Sequence, residues 1–255
     1  MVLLVDVGNS NIVFGLSDGN TILKNWRLKT FLDKSSDELY ILIKTLINDS
    51  FDDVMISSVV PVVTSALNKM FTKYYQITPM ILGPGVKTGV MLQADDPKSV
   101  GADMICDVAG AYRYFEKSII VDMGTATKYI YQNKNTFMGV AIAPGVSISM
   151  KALVNNAALL PSIELQTPNH VLGHNTISCM QSGIIYGAAS QVDGMITRIK
   201  EEIKDDDIKI IATGGLSKII VPLCKHEIVY NEVLVLDGLL SIYNLSLIHI
   251  SEPTR

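Results

Sequence analysis

The chain has 255 residues, of which 48% are hydrophobic and 18% are charged, and its formal net charge is −4. This composition excludes an intrinsically disordered chain, and the slight acidity without any Lys/Arg cluster argues against nucleic-acid binding. No apolar run reaches the length of a membrane span, the first residues lack the basic segment of a signal peptide, and three widely spaced cysteines give no disulfide framework, so we expect a cytoplasmic protein.

The first predicted element is a buried strand that ends in a carboxylate. The apolar run 2–5 leads into Asp6, and Gly8 follows two residues later. A carboxylate is costly to bury unless it is paired or bound to a cation, and glycine lets backbone N–H groups approach a ligand. Because the run 11–16 is also strand-like, the pattern predicts a hairpin whose turn holds a metal and phosphate groups. The alternative is an ordinary hairpin in which Asp6 and Gly8 only make the turn.

The next segments predict an α/β layer fold. We expect a strand at 21–28, a helix that begins with a capping box at Ser35, a strand at 53–57 and a helix from Pro61 to about residue 75. The glycine-rich loop 83–89 either passes close to a ligand or connects two domains.

A further helix is predicted to open at Pro97 and to continue through Phe115. Asp103 lies near its start, among small and apolar residues. Two interpretations remain open for Asp103: a general base with a tuned pKa, or an acid that stabilises the start of the helix.

The second half of the chain begins with a repeat of the first motif. An apolar run again leads into Asp122, and Gly124 and Thr125 follow before another strand-like run. Two copies of the same Asp-x-Gly turn favour a phosphate-binding hairpin used twice over two unrelated turns. A third strand at 136–143 and a helix from Val146 complete this part.

The segment 176–203 carries apolar residues every three or four positions, which predicts one long helix. Its glycines are costly inside a helix unless another backbone packs closely, so we expect a helix–helix contact there, between subunits if not within one. His170 and His174 precede this helix and are interpreted as loop residues, not as metal ligands.

The last predicted elements are a strand at 208–212, a turn at Thr213–Gly215 and a final helix from Leu236. The turn either links a strand to a helix or offers a flat backbone surface to the adenosine of a nucleotide. Residues 245–255 match neither element type, and we interpret them as a non-native or disordered tail.

Together, these motifs resemble one family, the type III pantothenate kinases of the acetate-kinase/sugar-kinase/Hsp70/actin superfamily. The resemblance covers nearly the whole chain. Its segments are Asp6–Ser10, Gly83–Gly89, Gly101–Asp103, Val121–Thr127, Gly173–Thr176, Met180–Gly183, Thr213–Gly215 and Asp237–Leu239.

The resemblance implies an α/β fold of duplicated actin-like (ribonuclease H-like) domains, each a mixed β-sheet with flanking helices. It places the first domain at 1–115 and the second at 116–244. It also implies ATP-dependent phosphorylation of pantothenate to 4′-phosphopantothenate, the first step of coenzyme A biosynthesis, by a homodimer.

By similarity, Asp6 would hold Mg²⁺ through ATP, Asp122 would bind a monovalent cation (K⁺ or NH₄⁺), and Asp103 would be the catalytic base. The implied ATP-binding residues are Asp6, Val7, Gly8, Asn9, Ser10, Asn11, Ile12, Val13, Thr125, Gly214 and Gly215. The implied pantothenate-binding residues are Gly101, Ala102, Asp103, Met104 and Thr176.

One departure from the family pattern concerns the substrate pocket. The family motif commonly reads Gly-Ala-Asp-Arg, whereas this chain has Met104, which offers no charge to the carboxylate of pantothenate. Ser10 replaces the usual Thr, Ala94 stands where Tyr is common, and Lys87 is a possible source of the missing charge. Two alternatives therefore stay open: a kinase for another small hydroxylated substrate, and a nucleotide-binding regulator without turnover.

Overall fold

The computed structural model describes residues Met1–Ser251, with side chains described as far as Ile248. Of the predicted tail, residues 252–255 lie outside the described residues. Residues 245–251 continue the last helix, which spans Leu234–Ser251, so the expectation that this part matches neither a helix nor a strand was wrong. Within the described part of the chain, no helix has the length and apolar character needed to cross a membrane.

The chain alternates between strands and helices. In chain order, the strands are β1 Val2–Val7, β2 Asn11–Ser17, β3 Ile22–Lys29, β4 Asp53–Ser58, β5 Met80–Ile81, β6 Met91–Leu92, β7 Lys117–Met123, β8 Ala126–Asn133, β9 Thr136–Pro144, β10 Lys209–Thr213 and β11 Val229–Tyr230. The helices are α1 Ser36–Leu46, α2 Pro61–Met70, α3 Ala102–Tyr112, α4 Val146–Asn156, α5 Thr176–Ile203, α6 Ser217–Ile220 and α7 Leu234–Ser251.

These elements form two compact units. The first unit contains residues 1–116, the short segment 135–137 and the chain from Val233 onward. The second contains 117–134 and 138–232. The bounds expected from the family resemblance place the final helix in the second domain, whereas α7 belongs to the first unit, because its apolar residues pack there.

In the first unit, the sheet has the strand order β3-β2-β1-β4-β5. β1 pairs antiparallel with β2 and parallel with β4. Side chains alternate along β1, so Leu3, Val5 and Val7 join the core formed with α1 and α2. Val2 and Leu4 face the opposite side and pack with residues of α3 and α7. Asp6 therefore points toward the α3 side of the sheet.

Helix α3 begins later than the sequence predicts. Pro97–Ser99 form only a turn of 3-10 helix, because the side chain of Asp96 accepts the N–H of Lys98 and Val100 is extended. Gly101, also extended, is the N-cap of α3. The prediction of one helix from Pro97 through Phe115 was wrong, and Asp103 consequently lies in the first turn of α3.

In the second unit, β11, β10, β7, β8 and β9 lie side by side in that order. β7 pairs antiparallel with β8 and parallel with β10. Helix α5 packs on the face that carries Ile119 and Val121, through Ile185, Ala189 and neighbouring apolar residues. Asp122 alternates to the other face of the sheet.

Candidate active site

The β1–β2 turn of the first unit has the tight geometry that the sequence predicts. The N–H of Gly8 donates to the carbonyl of Asn11 at 2.9 Å. Thr30 fixes the same turn, since its hydroxyl donates to the carbonyl of Gly8 at 2.7 Å and its N–H donates to the carbonyl of Ser10 at 3.0 Å. The turn is therefore held in one conformation by groups of its own unit.

The predicted phosphate-binding residues of this turn fall into two sets. Asn9, Ser10 and Asn11 are exposed and can offer their side chains to a ligand. Val7 and Ile12 are fully buried in the core, so only their backbone groups can contact a ligand. Val13 packs against the α3 and α7 side of the sheet.

Asp6 lies next to a buried polar group on the neighbouring strand. In the parallel pair β1–β4, Asp6 is in register with Ser57, which is fully buried. Equivalent residues on adjacent parallel strands share a face, so both point toward α3. Ser57 is hydrogen-bonded with Cys106 of α3, so the carboxyl end of β4 lies against that helix.

The thiol of Cys106 on α3 shows how closely the carboxylates gather there. Its pKa is well above the usual value, first because the thiol is fully buried and next because Asp6 adds negative charge. Asp107 and Asp103 raise it further, whereas a hydrogen bond with Ser57 lowers it. Carboxylates from β1 and α3 therefore act on one buried point.

Asp103 is positioned by its own helix start. Its Oδ1 accepts the backbone N–H of Met104 at 2.9 Å, and its side chain is half-buried. A Cβ atom on Gly101 would lie 2.5 Å from the same oxygen, so the glycine leaves room for the carboxylate. Ala102 is half-buried and the side chain of Met104 is buried. Lys87 is exposed on the glycine-rich loop.

The β7–β8 turn of the second unit carries a buried ion pair. The Nζ of Lys128 lies 2.6 Å from Oδ2 of Asp122, and their side chains are 10% and 12% exposed. The two residues are direct cross-strand partners in the β7–β8 register. In the turn itself, the N–H of Gly124 donates to the carbonyl of Ala126 at 3.1 Å, and Thr125 is half-buried.

Two glycines pack against the backbone of this second turn. A Cβ on Gly214, whose φ is +95°, would lie 2.5 Å from the carbonyl oxygen of Met123. A Cβ on Gly145 would lie 2.6 Å from the carbonyl oxygen of Gly124. Gly145 is the N-cap of α4, and Gly215 is exposed beside Gly214. The predicted Thr213–Gly215 turn thus lies directly on the second hairpin.

Thr176 lies in the second unit, as the first residue of α5, and is exposed. The other predicted pantothenate-binding residues lie at the start of α3 in the first unit. His170 and His174 lie in the loop before α5. Among the described residues, no group of three or more His, Cys, Asp or Glu side chains is placed to hold a metal ion.

Sequence reasoning missed four residues of these two sites. Asp107 is a fully buried carboxylate one turn after Asp103, and an acid within an apolar helical run was an available signal. Lys128, Thr30 and Gly145 act through pairings that the sequence does not display.

Comparison with solved structures gives the fold class of the chain. The structure of (R)-2-hydroxyglutaryl-CoA dehydratase component A from Acidaminococcus fermentans matches with a TM-score of 0.57 at 13% identity, covering 98% of this chain and 99% of that one. A ROK family glucokinase from Streptomyces griseus, in complex with glucose and AMPPNP, matches with a TM-score of 0.50 at 13% identity over 96% and 98%. The two mixed sheets with flanking helices are duplicated actin-like domains.

Sequence comparison then gives the family. The family model of the type III pantothenate kinases matches residues 2–198. A type III pantothenate kinase of Acholeplasma laidlawii is 43% identical over 244 residues, which cover 95% of this chain and 98% of that protein. The chain belongs to the type III pantothenate kinase family and is a kinase.

Proposed function

We propose that this chain transfers the γ-phosphoryl group of ATP to the 4′-hydroxyl of pantothenate, the first step of coenzyme A biosynthesis, and that Asp103 is its general base. The family assignment supports the reaction. The observation that supports the residue is that Asp103 lies in the first turn of α3, whose Cys106 packs with residues of β1 and β4, and that Asp6 and Asp103 both add negative charge at that thiol. Phosphoryl transfer needs an oriented hydroxyl close to groups that hold the phosphates.

ATP and a divalent metal belong to this kinase chemistry, and the first unit fits them. Carboxylates concentrated near one buried point are stabilised by a cation, and Mg²⁺ usually takes one or two carboxylates together with phosphate oxygens. Asp6 and the polar residues of the β1–β2 turn are the groups that would hold Mg²⁺ and the phosphates. When bound, the metal neutralises the negative charge that the phosphates bring.

Asp103 would accept the proton of the 4′-hydroxyl as its oxygen attacks the γ-phosphorus and ADP leaves. Its position in the first turn of α3 fixes the carboxylate through the N–H of Met104. Gly101 and Ala102 would let the substrate approach that carboxylate closely. In the second unit, Thr125, Gly214 and Gly215 would contact the nucleotide, and Thr176 would contact pantothenate.

Met104 favours a second candidate substrate, one without a carboxylate. The side chain at this position is buried and apolar, so it gives no partner to a substrate carboxylate. A kinase for an uncharged hydroxylated relative of pantothenate is therefore the competing candidate. Turnover measured with pantothenate and with pantothenyl alcohol at equal concentrations separates the two.

The residues at the expected monovalent-cation site do not fit a bound K⁺ or NH₄⁺ ion. The expected site is the carboxylate of Asp122, and the ammonium of Lys128 already lies on it. We therefore assign no step to K⁺ or NH₄⁺. The cytoplasmic location and the homodimer expected from the sequence remain proposals, and the dimer is argued below from exposed residues of α5.

The assignment of Asp103 is tested by Asp103→Asn, which keeps the shape of the side chain but cannot accept the proton. General-base catalysis typically contributes on the order of 10²–10⁴-fold, so we expect turnover to fall by that factor. The affinity for a non-hydrolysable ATP analogue, measured by calorimetry, should stay close to that of the wild type.

Asp37→Asn is the matched control, because Asp37 is also an acid in the first turn of a helix of the same unit. It should leave turnover unchanged. If Asp103→Asn retains wild-type turnover as well, Asp103 only stabilises its helix and the assignment fails.

A further inference from the structure

Lys128 and Asp122 form a built-in ion pair at a position where the family resemblance leads one to expect a bound cation. The backbone pairing of the hairpin, in addition to the side-chain contact, brings these two residues together. Asp122 and Lys128 are opposite each other in the antiparallel β7–β8 register, so the sheet itself places both side chains on one face. The nitrogen–oxygen distance is 2.6 Å.

The surroundings of this pair are strongly shielded from water. Asp122 and Lys128 are each 8% exposed as whole residues. The next two cross-strand pairs on the same face are Ile120 with Ile130, both fully buried, and Ser118 with Gln132, which are joined by a buried hydrogen bond. Across the hairpin, the amide nitrogen of Gln132 thus meets the hydroxyl of Ser118, and the ammonium of Lys128 meets the carboxylate of Asp122.

Charge decides what this carboxylate can bind. One buried negative charge requires one positive charge, because an uncompensated buried charge is strongly destabilising. Lys128 supplies that charge. A potassium ion added to the same carboxylate would bring a second positive charge close to the ammonium, in a region where little water screens their repulsion.

We propose that the ammonium of Lys128 replaces the monovalent cation at the β7–β8 turn, so that this enzyme works without added K⁺ or NH₄⁺. A lysine ammonium offers the same single charge as these ions and donates hydrogen bonds to the same carboxylate oxygens. This role of Lys128 rests on the proposed function, in which the β7–β8 turn binds the nucleotide. Two of the proposed nucleotide-binding residues lie at the turn: Thr125 follows Asp122 by three residues, and Gly214 packs on the turn backbone.

The first arm of the test uses the wild-type protein. Its turnover with pantothenate and its affinity for a non-hydrolysable ATP analogue are measured in choline chloride and in potassium chloride at equal ionic strength. Both quantities should be the same in the two salts. A wild type that needs potassium for either quantity overturns the proposal.

The second arm removes the ammonium with Lys128→Thr, a β-branched residue suited to a strand. In choline chloride, the affinity for the ATP analogue should fall by about tenfold or more, the scale seen when a group that supports a bound ion is lost. Potassium or ammonium chloride should restore it. Added potassium should also raise the melting temperature of the variant and leave that of the wild type unchanged, because only the variant has room for the ion.

Lys117→Thr is the matched control. Lys117 lies on β7 of the same hairpin and pairs with Asp205 at 2.5 Å, but its side chain is 41% exposed. This variant should acquire no potassium dependence. If Lys128→Thr behaves like Lys117→Thr, the proposal fails. If Lys128→Thr does not fold, Lys128→Met keeps most of the aliphatic stem, and the wild-type arm decides by itself.

Analogue binding and melting temperature do not require pantothenate turnover. A protein that shows the expected salt behaviour but does not phosphorylate pantothenate would therefore contradict the proposed substrate and leave the role of Lys128 intact. A protein that phosphorylates pantothenate only with potassium would do the reverse.

Discussion

Asp6 is half-buried at the end of a strand whose other side chains form the core. It is in register with the fully buried Ser57 and adds negative charge at the fully buried thiol of Cys106. A carboxylate kept in such a place has a cost that a bound cation offsets. If Asp6 holds Mg²⁺ through ATP, Asp6→Asn should reduce turnover by on the order of 10²-fold, the upper scale for the loss of a group that supports a metal. Steady-state kinetics over a range of Mg²⁺ concentrations measures this loss.

Asp18→Asn is the control for that variant. Asp18 is a turn aspartate of the same sheet, and its carboxylate accepts the N–H groups of Asn20 and Thr21 at 2.8 and 2.9 Å. Replacing it should leave turnover and its Mg²⁺ dependence unchanged. Equal turnover of Asp6→Asn and the wild type would remove Asp6 from the phosphate site.

At this scale, the sequence reveals a carboxylate more easily than its partner. Asp6 and Asp122 are visible because each ends an apolar run, where an acid needs a reason. Lys128 looks like an ordinary strand residue, because its partner depends on the register of β7 with β8. A register shift of one residue would turn its side chain to the other face of the sheet, and local sequence does not fix that register.

At the scale of single elements, the predictions that rest on a long apolar period or on a complete capping box are confirmed. α5 spans Thr176–Ile203, as its apolar period predicts, and Ser35 with Glu38 forms the capping box at the start of α1. For the helix predicted from Pro97, the apolar positions Ile105, Val108 and Ala109 do lie in α3, but the start at Pro97 rested on the proline alone. Proline fits the first turn of a 3-10 helix as well as that of an α-helix. Here the extended Val100 ends the short 3-10 helix.

The packing of α3 with α7 depends on two glycines. A Cβ on Gly238 would lie 1.8 Å from the carbonyl oxygen of Cys106, and one on Gly110 would lie 2.3 Å from the carbonyl oxygen of Leu234. These neighbours are backbone atoms, so they cannot rotate away. Gly238→Ala should therefore lower the free energy of unfolding by about 1–3 kcal/mol or more, the cost of overpacking a core. Urea denaturation followed by circular dichroism gives this value.

Gly187→Ala is the comparison within another helix. A Cβ there meets nothing within 4 Å, so the change should stabilise α5 by up to about 1 kcal/mol through helix propensity. If Gly238→Ala is as stable as the wild type, the close approach of α3 and α7 is not required for folding.

For the whole molecule, the repeated Asp-x-Gly motif predicts the duplication, and each unit has its own mixed sheet. The position of α7 does not follow from chain order. In α7, Leu236, Leu239 and Leu240 are buried with Cys106 and Ala109 of α3. The last helix of the chain therefore packs in the first unit. Sequence proximity favours the second unit, and long-range packing decides otherwise.

The second unit exposes an apolar face along α4 and α5. Ile148 and Ile177 are 44% and 51% exposed, and an open cavity of about 580 Å³ is lined by Gly183 and Gly187 among other residues of the two helices. Small residues on a helix let another backbone approach closely, which agrees with the homodimer proposed from the sequence. A second copy of the chain, seated on this face, would bury these residues.

Gly187→Arg tests that dimer. Since a side chain at this position enters open space in a single chain, the substitution should leave the secondary structure of the isolated protomer intact. In the dimer it would place a charged side chain within an apolar contact, so we expect the mass measured by light scattering to halve. Gly187→Ala adds a methyl group but no charge, so it should weaken the dimer less than Gly187→Arg does. A Gly187→Arg protein with the same mass as the wild-type dimer would show that this face lies outside the interface.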